Sequence, residues 1–422
     1  MSMIKNVHAR RVWDSRGWPT VEAEIILESG HVGRGIAPAG ASRGTHEAVE
    51  LRDGGKAFSG KDVQKAIANI KHEIAPALIG MDVTNQAAID CRMIELDGTP
   101  TKERLGGNAI IAVSMAALHA AAASAGQRLW RYLAGDAPVR LPLPQIQIFG
   151  GGAHAGRRID IQDLMVVASG AKSFDEALEM TCEVYHSAGR IMQQRGLLQG
   201  VADEGGWWPA FDSNEQALDT LVRAIEGAGY VPGKDVSIVL DIASSEFGKD
   251  GRYRLALEEA EYDSDGMCEL LLGWLDRYPI ASIEDPLAED DETGLIAFTR
   301  AAGSKVQIVG DDFFVTNAQR VENAAAKGAC NCVLIKPNQA GTITETKAAL
   351  DAARKAGYGA IVSARSGETE DVTIVHLSTG WNAGQLKVGS FARSERMAKW
   401  NEAIRIESEG HPFAGSKALT RS

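Results

Sequence analysis

The segment VSIVLD at residues 236–241 shows the pattern that decides the fold: a short apolar run rich in β-branched residues that ends in an acid. Five more runs of this kind follow, PIASIED, VQIVGDD, CNCVLIK, GAIVSAR and QLKVG, at residues 279–285, 306–312, 330–336, 359–365 and 385–389. Stretches with helical periodicity separate them. Near-continuous apolar strands that alternate with helices indicate a parallel sheet covered on both faces.

The length of this part of the chain favours a closed barrel. About 290 residues follow the linker segment AGDAPVRLPLPQ, and a (β/α)8 barrel typically takes about 250. No glycine-rich dinucleotide-binding turn follows any of the strands, which disfavours an open doubly wound sheet. The interval between Asp241 and Glu284 is long enough for an additional element. We therefore predict a (β/α)8-type (TIM-like) barrel over residues 142–422.

The first part of the chain has a different pattern. The segments VEAEIILESG and HVGRGIAPAG alternate as strands do, with a hairpin turn expected at Gly30 and His31. From Lys61 to Ala125 the periodicity becomes helical and includes an alanine-rich stretch. Strands followed by helices predict a smaller α+β domain over residues 1–135, ahead of the barrel.

Composition and charge limit the partners. The 422 residues are 45% hydrophobic and carry a formal net charge of −12, which argues against nucleic acid or an anionic membrane. Neither a signal-peptide core nor an uninterrupted apolar run of membrane-spanning length is evident. The five scattered cysteines fit a reduced, cytoplasmic setting. Cys330 and Cys332 would share one face of a strand, where ordinary packing is favoured over a metal pair.

The residues that end the six strands form a coherent chemical set. They are three acids followed by three cations: Asp241, Glu284, Asp311, Lys336, Arg365 and Lys387. Salt bridges would explain any one of them, but functional side chains of a barrel gather at the carboxyl ends of its strands. Three crowded carboxylates repel one another and are expected to bind a cation. An all-oxygen set with room for water and substrate fits Mg²⁺ better than Ca²⁺.

The cations of this set predict proton abstraction next to a carboxylate. Lys336, near a divalent cation and a second lysine, can lose its proton near neutral pH and is a candidate general base. Arg365 offers a fork of donors to a phosphate or carboxylate. A metal, a lysine base and an anion clamp are what such a reaction requires, because the enediolate that forms needs nearby positive charge.

The sequence resembles the enolase (phosphopyruvate hydratase) family nearly end to end, from ARRVWDSRGWPTVE to ARSERMAKWNE. The motifs ELDGT, GAS, HAG, DEGG, SSEF, SIEDP, VGDD, VTN, SGETED and RSER stand where that family has them. Such an ordered set is highly specific, whereas each motif alone would be weak. The chain is therefore identified as a diverged member of a family whose sites use a lysine or histidine base with one or two Mg²⁺.

The resemblance implies a role for each matching position. The three strand-end acids Asp241, Glu284 and Asp311 would bind the first Mg²⁺. Ser42 of the loop PAGASRGTHEA would bind the second Mg²⁺, which arrives with the substrate. Lys336 would be the base, and Glu204 of DEGG the acid that protonates the departing hydroxyl. The remaining substrate-binding positions are Arg365 and Ser366 for the phosphate, Lys387 for the carboxylate, and His154 and Asp163 in the pocket.

The departures from the family surround the leaving hydroxyl and the closing loops. They are Asp163 for a longer Glu, Ala364 for a His, Arg43 in the mobile loop, and the aromatic residues Trp18, Trp207, Trp208, Phe313 and Phe314. We interpret Trp18 alone as drift in a packing position. We expect the other aromatic residues to shape the pocket, with at least one of Trp207 and Trp208 near the substrate mouth.

Three functions are open at this point. The first is an Mg²⁺-dependent lyase that removes the α-proton of a phosphorylated hydroxy acid and eliminates water, as in the conversion of 2-phosphoglycerate to phosphoenolpyruvate. The second is an enzyme of phosphonate secondary metabolism, such as a carboxyphosphonoenolpyruvate synthase, with a phosphonate substrate. The third is a non-catalytic binding protein, which the complete acid and base set disfavours. A homodimer or a higher homo-oligomer is expected in each case.

Overall fold

A three-stranded antiparallel sheet opens the chain in the computed structural model, which describes residues 2–41 and 44–421. Its strands are β1 (Ile4–Trp13), β2 (Pro19–Leu27) and β3 (Val32–Ile36), paired in that order. Gly30 has a φ of 86° in the turn between β2 and β3, a conformation that glycine adopts without steric cost. The predicted hairpin is thereby confirmed.

Helices cover this sheet. They are α1 (Gln64–Asn69), α2 (Ala75–Leu78), α3 (Gln86–Asp97), α4 (Gly107–Ser124) and α5 (Leu129–Ala134). The helix α4 lies directly on β3, because a Cβ added at Gly33 would come within 2.1 Å of the Ala120 nitrogen. It is long and apolar enough to cross a membrane by length and composition alone, but 83% of it is buried inside the protein. This helix is therefore the core of the first domain.

Eight strands form a closed barrel after the linker. In chain order they are β4 (Leu143–Gly150), β5 (Asp163–Val167), β6 (Ser237–Asp241), β10 (Ile280–Glu284), β11 (Gln307–Gly310), β12 (Cys332–Ile335), β13 (Gly359–Ser363) and β14 (Gly384–Gly389). A small antiparallel sheet, β7 (Gly248–Lys249), β8 (Arg252–Leu255) and β9 (Ala260–Asp263), fills the long interval between β6 and β10. The predicted barrel and the additional element are both confirmed.

One barrel strand is antiparallel to its neighbours, which contradicts the prediction of a wholly parallel sheet. The strand β5 pairs antiparallel with both β4 and β6. The segment between β4 and β5 is short and contains no α-helix, and only antiparallel neighbours can be joined without a long crossover. The reversal places Asp163 at the start of β5, directly opposite Asp241 at the end of β6. Asp163 thus reaches the same rim as the strand-end acids.

Nine helices accompany the barrel strands in the described part of the chain, and six of these helices begin with a polar side-chain cap. The nine helices are α6 (Phe174–Gln194), α7 (Asn214–Gly227), α8 (Ser264–Arg277), α9 (Glu292–Ala302), α10 (Ala318–Lys327), α11 (Pro337–Ala340), α12 (Ile343–Lys355), α13 (Thr373–Gly380) and α14 (Ser394–Glu407). The side chains of Ser173, Ser213 and Asp291, for example, accept backbone N–H groups of α6, α7 and α9. Such caps are each worth about 1 kcal/mol of stability.

The first domain covers the carboxyl rim of the barrel. Ala39 and Gly367 form a backbone bridge between the two parts, and the Ser15 nitrogen donates to the Glu368 carbonyl at 2.8 Å. These contacts hold the loops that follow β1 and β3 over the ends of the barrel strands, which is where the predicted site residues lie.

Acid should destabilise the protein through His376, which is buried in α13. Burial, with a smaller effect of His119, lowers the pKa of His376 to about 4; Glu402, 3.7 Å away, favours the charged form, but burial dominates. The unfolded chain, with an ordinary pKa of about 6.5, therefore takes up a proton first as the pH falls. Between pH 6.5 and about 4, the free energy of unfolding should drop by up to about 3 kcal/mol from this residue.

Urea unfolding at several pH values checks this prediction. His376→Gln should lose less stability on acidification than the unchanged protein, whereas His72→Gln, at an exposed position, should behave like the unchanged protein. If His376→Gln became more acid-sensitive, the pair with Glu402 would be the dominant interaction instead.

Candidate active site at the barrel rim

Lys387 lies at the centre of the rim, among three buried carboxylates. Its Nζ donates to Asp241 Oδ2 at 2.8 Å and to both Glu284 oxygens at 2.9 Å, and lies 3.4 Å from Asp163 Oδ2. Burial of Asp241 disfavours its charged form, but the ammonium of Lys387 outweighs this effect and lowers the pKa of Asp241 to about 2. The lysine that was expected to hold a substrate carboxylate is thus bound to the protein's own acids in this structure.

Lys336 forms a second pair one strand further on. Its Nζ donates to Asp311, whose other oxygen accepts from Gln339 Nε2 at 2.8 Å. The Thr316 hydroxyl accepts from the Lys336 backbone nitrogen at 2.9 Å and donates to Gln339 at 2.7 Å. Thr316 has a φ of 52°, which is strained for a β-branched residue. The strained turn after β11 therefore fixes both partners of Asp311.

The three predicted metal ligands do not form one compact group of oxygens. Asp241 and Glu284 share Lys387, while Asp311 pairs with Lys336. Among the described residues, two other sets have ligand atoms within 4.8 Å of one another: His154 with Asp163 and Glu204, and Asp285 with Asp311 and Asp312. Asp311 of the predicted triad belongs to the second set, whereas Asp241 and Glu284 belong to neither.

Asp285 is a site residue that the sequence analysis missed. Its two oxygens accept the backbone N–H groups of Asp311 and Asp312 at 2.8 and 2.9 Å, and its own φ is 41°. Burial and the neighbouring Asp311 raise its pKa to about 8. The available signal was the second acid of SIEDP, directly after the predicted ligand Glu284.

The rim holds more buried acid than its lysines neutralise. Burial and the adjacent Asp241 raise the pKa of Glu284 well above its usual range, and burial and Asp311 do the same for Asp312. Carboxylates in this condition bind a proton or a further cation. Oxygen donors in such number suit a hard divalent ion, so the residues present fit Mg²⁺.

His154, Asp163 and Glu204 form the other side of the site. The His154 Nε2 lies 3.7 Å from Asp163 and 3.8 Å from Glu204. Its buried Nδ1 has no hydrogen-bond partner within the described part of the chain. Burial raises the pKa of Asp163, whereas His154 lowers that of Glu204 in spite of burial. Carboxyl groups whose pKa values are pushed apart in this way are typical of acid–base pairs.

Gln147, on β4, ties this group together and was also missed. Its Nε2 donates to Asp163, and its Oε1 accepts the Gly206 backbone N–H at 2.8 Å. A Cβ at Gly206 would lie 2.5 Å from that Gln147 oxygen, so the second glycine of DEGG is required for the close approach. The shorter Asp163 and the segment that carries Glu204 are therefore held by one amide.

Arg365 and Ser366 are positioned from both domains. Arg365 Nη1 donates to Glu47 Oε2 at 2.9 Å and to Asn338 Oδ1 at 3.1 Å. The Ser366 hydroxyl accepts the Ala41 backbone N–H at 3.3 Å. Arg396, of the RSER motif, donates to the Arg365 carbonyl at 2.8 Å and to the Ser366 carbonyl at 2.6 Å. Hydrogen bonds from several elements thus hold Arg365 and Ser366, the predicted anion-binding residues, in fixed positions relative to each other.

The loop that contains Ser42 is attached to the site at both flanks. Ser42, predicted to bind the second Mg²⁺, and Arg43 lie outside the described residues. Before them, Ala41 donates to Ser366; after them, the Gly44 nitrogen donates to Glu47 at 3.0 Å. The loop therefore connects directly to the residues that hold Arg365.

The expectation that the new aromatic residues shape the pocket is not met by Trp207. Trp207 stacks on Tyr185 with ring centroids 4.7 Å apart, and its Nε1 donates to the Tyr185 carbonyl at 2.8 Å. Its ring fills the space at Gly189, where a Cβ would come within 2.7 Å. Phe314 is fully buried against Gly310, and Phe313 is buried beside it. Trp207 therefore packs the barrel against α6, and Phe313 and Phe314 belong to the hydrophobic core.

Trp18 has different surroundings from these residues. Trp18 lines a cavity of about 670 Å³ between the first domain and the rim, together with Ala153 and Asp203. Neither Trp207 nor Trp208 lines this cavity. Trp18 therefore borders a cavity at the boundary of the two domains, and its interpretation as drift in a packing position stays a prediction.

The two barrel cysteines are packing residues in the described structure. Cys330 and Cys332 are buried free thiols, and burial raises the pKa of both well above the usual range. Neither belongs to a metal-ligand cluster of the described residues.

A closed barrel with buried lysines and carboxylates at its covered carboxyl rim is the arrangement in which barrel enzymes carry their active sites. The family model described as "Enolase, N-terminal domain" matches residues 4–133, and "Enolase, C-terminal TIM barrel domain" matches residues 138–421. "Enolase 1" of Desulfitobacterium hafniense (strain Y51) is 53% identical over 407 residues, which cover 96% of this chain and 93% of that protein. The chain belongs to the enolase family of lyases.

Substitution of Trp207 should affect stability and not catalysis. Trp207→Ala removes a half-buried indole from its stack on Tyr185, so the free energy of unfolding should fall by about 2–4 kcal/mol. The kcat with any accepted substrate should stay unchanged at temperatures where the variant is folded. Urea unfolding and steady-state kinetics check both statements.

Trp13→Ala is the matched control, because that indole is 52% exposed and should be lost with little effect on stability. A changed substrate preference of Trp207→Ala at unchanged stability would return Trp207 to the substrate mouth.

Proposed function

We propose that this protein abstracts the α-proton of a phosphorylated hydroxy acid and eliminates water, with 2-phosphoglycerate as the reference substrate and phosphoenolpyruvate as the product. The C2–H bond breaks with transfer of the proton to Lys336 Nζ, and the C3–O bond breaks with departure of water. The observation that supports this most is the pair of buried lysines among carboxylates on one side of the rim, facing a histidine–carboxyl group on the other.

Lys336 must be neutral to act as the base. Burial favours the neutral form, but Asp311 raises the pKa of Lys336 above its usual value, and Arg365 opposes this increase. We assign Mg²⁺ to Asp241, Glu284 and Asp311, where it would supply positive charge to the substrate carboxylate and offset the effect of Asp311 on Lys336.

The departing hydroxyl needs a proton from the opposite side. Asp163 has the raised pKa of the pair and Glu204 the lowered one, so Asp163 is the group that holds a proton more readily. This differs from the assignment that resemblance alone gives, in which Glu204 is the acid. We assign proton donation to the pair, with His154 between the two carboxyl groups.

Arg365 and Ser366 are assigned to the substrate phosphate. Arg365 is buried and its fork is directed by Glu47 and Asn338, and Arg396 fixes the backbone of both residues. A guanidinium held in this way offers preorganised donors to phosphate oxygens.

Proton exchange in D₂O tests the proposed chemistry. With Mg²⁺, the protein should exchange the C2 proton of 2-phosphoglycerate, as followed by NMR, and form phosphoenolpyruvate, as followed by its absorbance. Lys336→Gln should lower both rates by about 10²–10⁴-fold, because it removes the base. Lys305→Gln, at a side chain that is 70% exposed, should change neither.

Substitution of Asp163 or Glu204 should affect the elimination of water but not the exchange of the C2 proton. Asp163→Asn and Glu204→Gln leave Lys336 in place, so proton exchange should persist while elimination is lost. The proposed function fails if the unchanged protein shows neither exchange nor product with 2-phosphoglycerate in the presence of Mg²⁺.

Magnesium binding can be tested without turnover. Mg²⁺ should raise the melting temperature of the unchanged protein in a concentration-dependent way, because a ligand that binds only the folded state stabilises it. Asp241→Asn should remove this dependence, and Asp276→Asn, at a side chain that is 77% exposed, should retain it. An equal Mg²⁺-dependent shift in all three proteins would contradict the assigned ligands.

A further inference from the structure

Gln147 contacts both segments that carry the carboxyl groups assigned to the departing hydroxyl. The residue lies on β4 and is fully buried. Its Nε2 donates to Asp163 Oδ1 at the start of β5, and its Oε1 accepts the backbone N–H of Gly206 at 2.8 Å, two residues after Glu204. One uncharged side chain therefore joins the two acids on this side of the site.

The orientation of this amide is fixed by its partners. A backbone N–H can only donate, so the atom that faces Gly206 is the amide oxygen, and the amide nitrogen faces Asp163. The opposite orientation would place the amide nitrogen against the Gly206 N–H, which is also a donor. Gln147 is therefore a hydrogen-bond donor to Asp163.

The amide of Gln147 has little room to move. A Cβ at Gly206 would lie 2.5 Å from its Oε1, and a Cβ at Gly150 would lie 3.2 Å from the same oxygen. Because both positions are glycines, the backbone approaches the amide from two sides. A side chain of different length at this position could not keep both hydrogen bonds.

Gln147 determines how the Asp163 carboxyl is rotated. The Oδ1 atom of Asp163 accepts from Gln147, while its Oδ2 lies 3.4 Å from Lys387 Nζ. Oδ1 is also the oxygen that lies 3.7 Å from His154 Nε2. The hydrogen bond from Gln147 therefore positions the carboxyl oxygen that faces His154.

The Glu204 carboxyl depends on the backbone turn that carries it. His154 Nε2 lies 3.8 Å from this carboxyl, which is beyond hydrogen-bond distance. The turn itself is held on both sides of the residue, because the Glu204 carbonyl accepts the Ser390 N–H at 3.0 Å and Gln147 accepts the Gly206 N–H. Loss of the Gln147 amide would free one of these two attachments.

We propose that Gln147 is a positioning residue for the elimination step, because its amide fixes the Asp163 carboxyl and the turn of Glu204 relative to each other. The proposal rests on the proposed function, which assigns these two carboxyl groups to the departing hydroxyl. The hydroxyl leaves as water with a proton from one of the carboxyl groups, whereas Gln147 neither gives up nor takes up a proton. Lys336, which receives the C2 proton, lies outside this set of contacts.

Two rates measured on 2-phosphoglycerate with Mg²⁺ test the proposal: exchange of the C2 proton in D₂O and formation of phosphoenolpyruvate. Gln147→Met keeps a side chain of about the same length and removes both hydrogen bonds. Formation of phosphoenolpyruvate should fall by about 10²-fold, the effect expected when reacting groups are displaced by about 1 Å. Exchange should stay unchanged, because it depends on Lys336. The ratio of exchange to formation should therefore rise by about 10²-fold.

Gln147→Asn is a second variant that keeps an amide but shortens its reach by one methylene. It should raise the same ratio, because neither Asp163 nor Gly206 can then be contacted as before. Both variants are measured at temperatures where circular dichroism shows them folded.

Gln145→Met is the matched control. Gln145 is equally buried on the same strand, and its Nε2 donates to Gln385 Oε1 at 3.0 Å, away from both carboxyl groups. The control should leave the ratio of the two rates unchanged. An equal decrease of both rates in the Gln147 variants, or a decrease of neither, would overturn the proposal, because a purely structural role does not separate the two rates.

The two proposals fail in distinguishable ways. An unchanged protein that neither exchanges the C2 proton nor forms phosphoenolpyruvate overturns both of them. An unchanged protein that does both, with Gln147 variants whose ratio of rates equals its own, keeps the proposed function and overturns only the role of Gln147.

Discussion

The charge pairing of Lys387 with Asp163, Asp241 and Glu284 is the constraint on which the rest of the rim depends. All four side chains are buried, and a buried carboxylate without a partner is too costly to keep its charge. One ammonium from β14 therefore permits acids on β5, β6 and β10 to face the same interior. Removing that ammonium would leave three acids to be protonated or to move apart. The same pairing links β14, the last barrel strand in the sequence, to the earlier strands β5, β6 and β10. The electrostatics of the site and the closure of the barrel are therefore coupled.

The first domain also contacts the rim through the charged side chain of Glu47. Glu47 binds Arg365 across 318 positions of sequence and also accepts from Gly44 and Gln339. Gln339 in turn holds Asp311, the partner of Lys336. The loop that covers the site, the anion clamp and the candidate base are therefore linked by hydrogen bonds. A ligand that draws Arg365 away from Glu47 would alter the attachment of the loop directly.

Much of this arrangement could be predicted from the sequence, because strand ends are local features. Asp241, Glu284, Asp311, Lys336, Arg365 and Lys387 each follow an apolar run, and the barrel brings such ends together. The direction of β5 was missed, because its apolar run DLMVV looks the same whether the strand is parallel or antiparallel. Glu47 and Gln147 were missed because their roles depend on partners distant in sequence. Asp285 was missed because its role, to accept two backbone N–H groups, depends on a φ that the sequence does not display.

The aromatic residues show where local reasoning failed most clearly. Trp207 follows the glycines that follow Glu204, yet the backbone turns at Gly205, with a φ of 94°, and carries the indole away from the rim to α6. Trp18 is far from every catalytic residue in sequence, but its turn is fixed by Asp14 on the loop that covers the rim. Closeness to a catalytic residue along the chain is therefore a poor guide to closeness in the fold. Among the departures from the family, Asp163 lies at the rim beside Gln147, whereas Trp207 stacks on Tyr185 and Phe314 packs against Gly310 in the interior. A departure in sequence is therefore not by itself evidence of a change at the site, because some of the exchanged side chains fill the core.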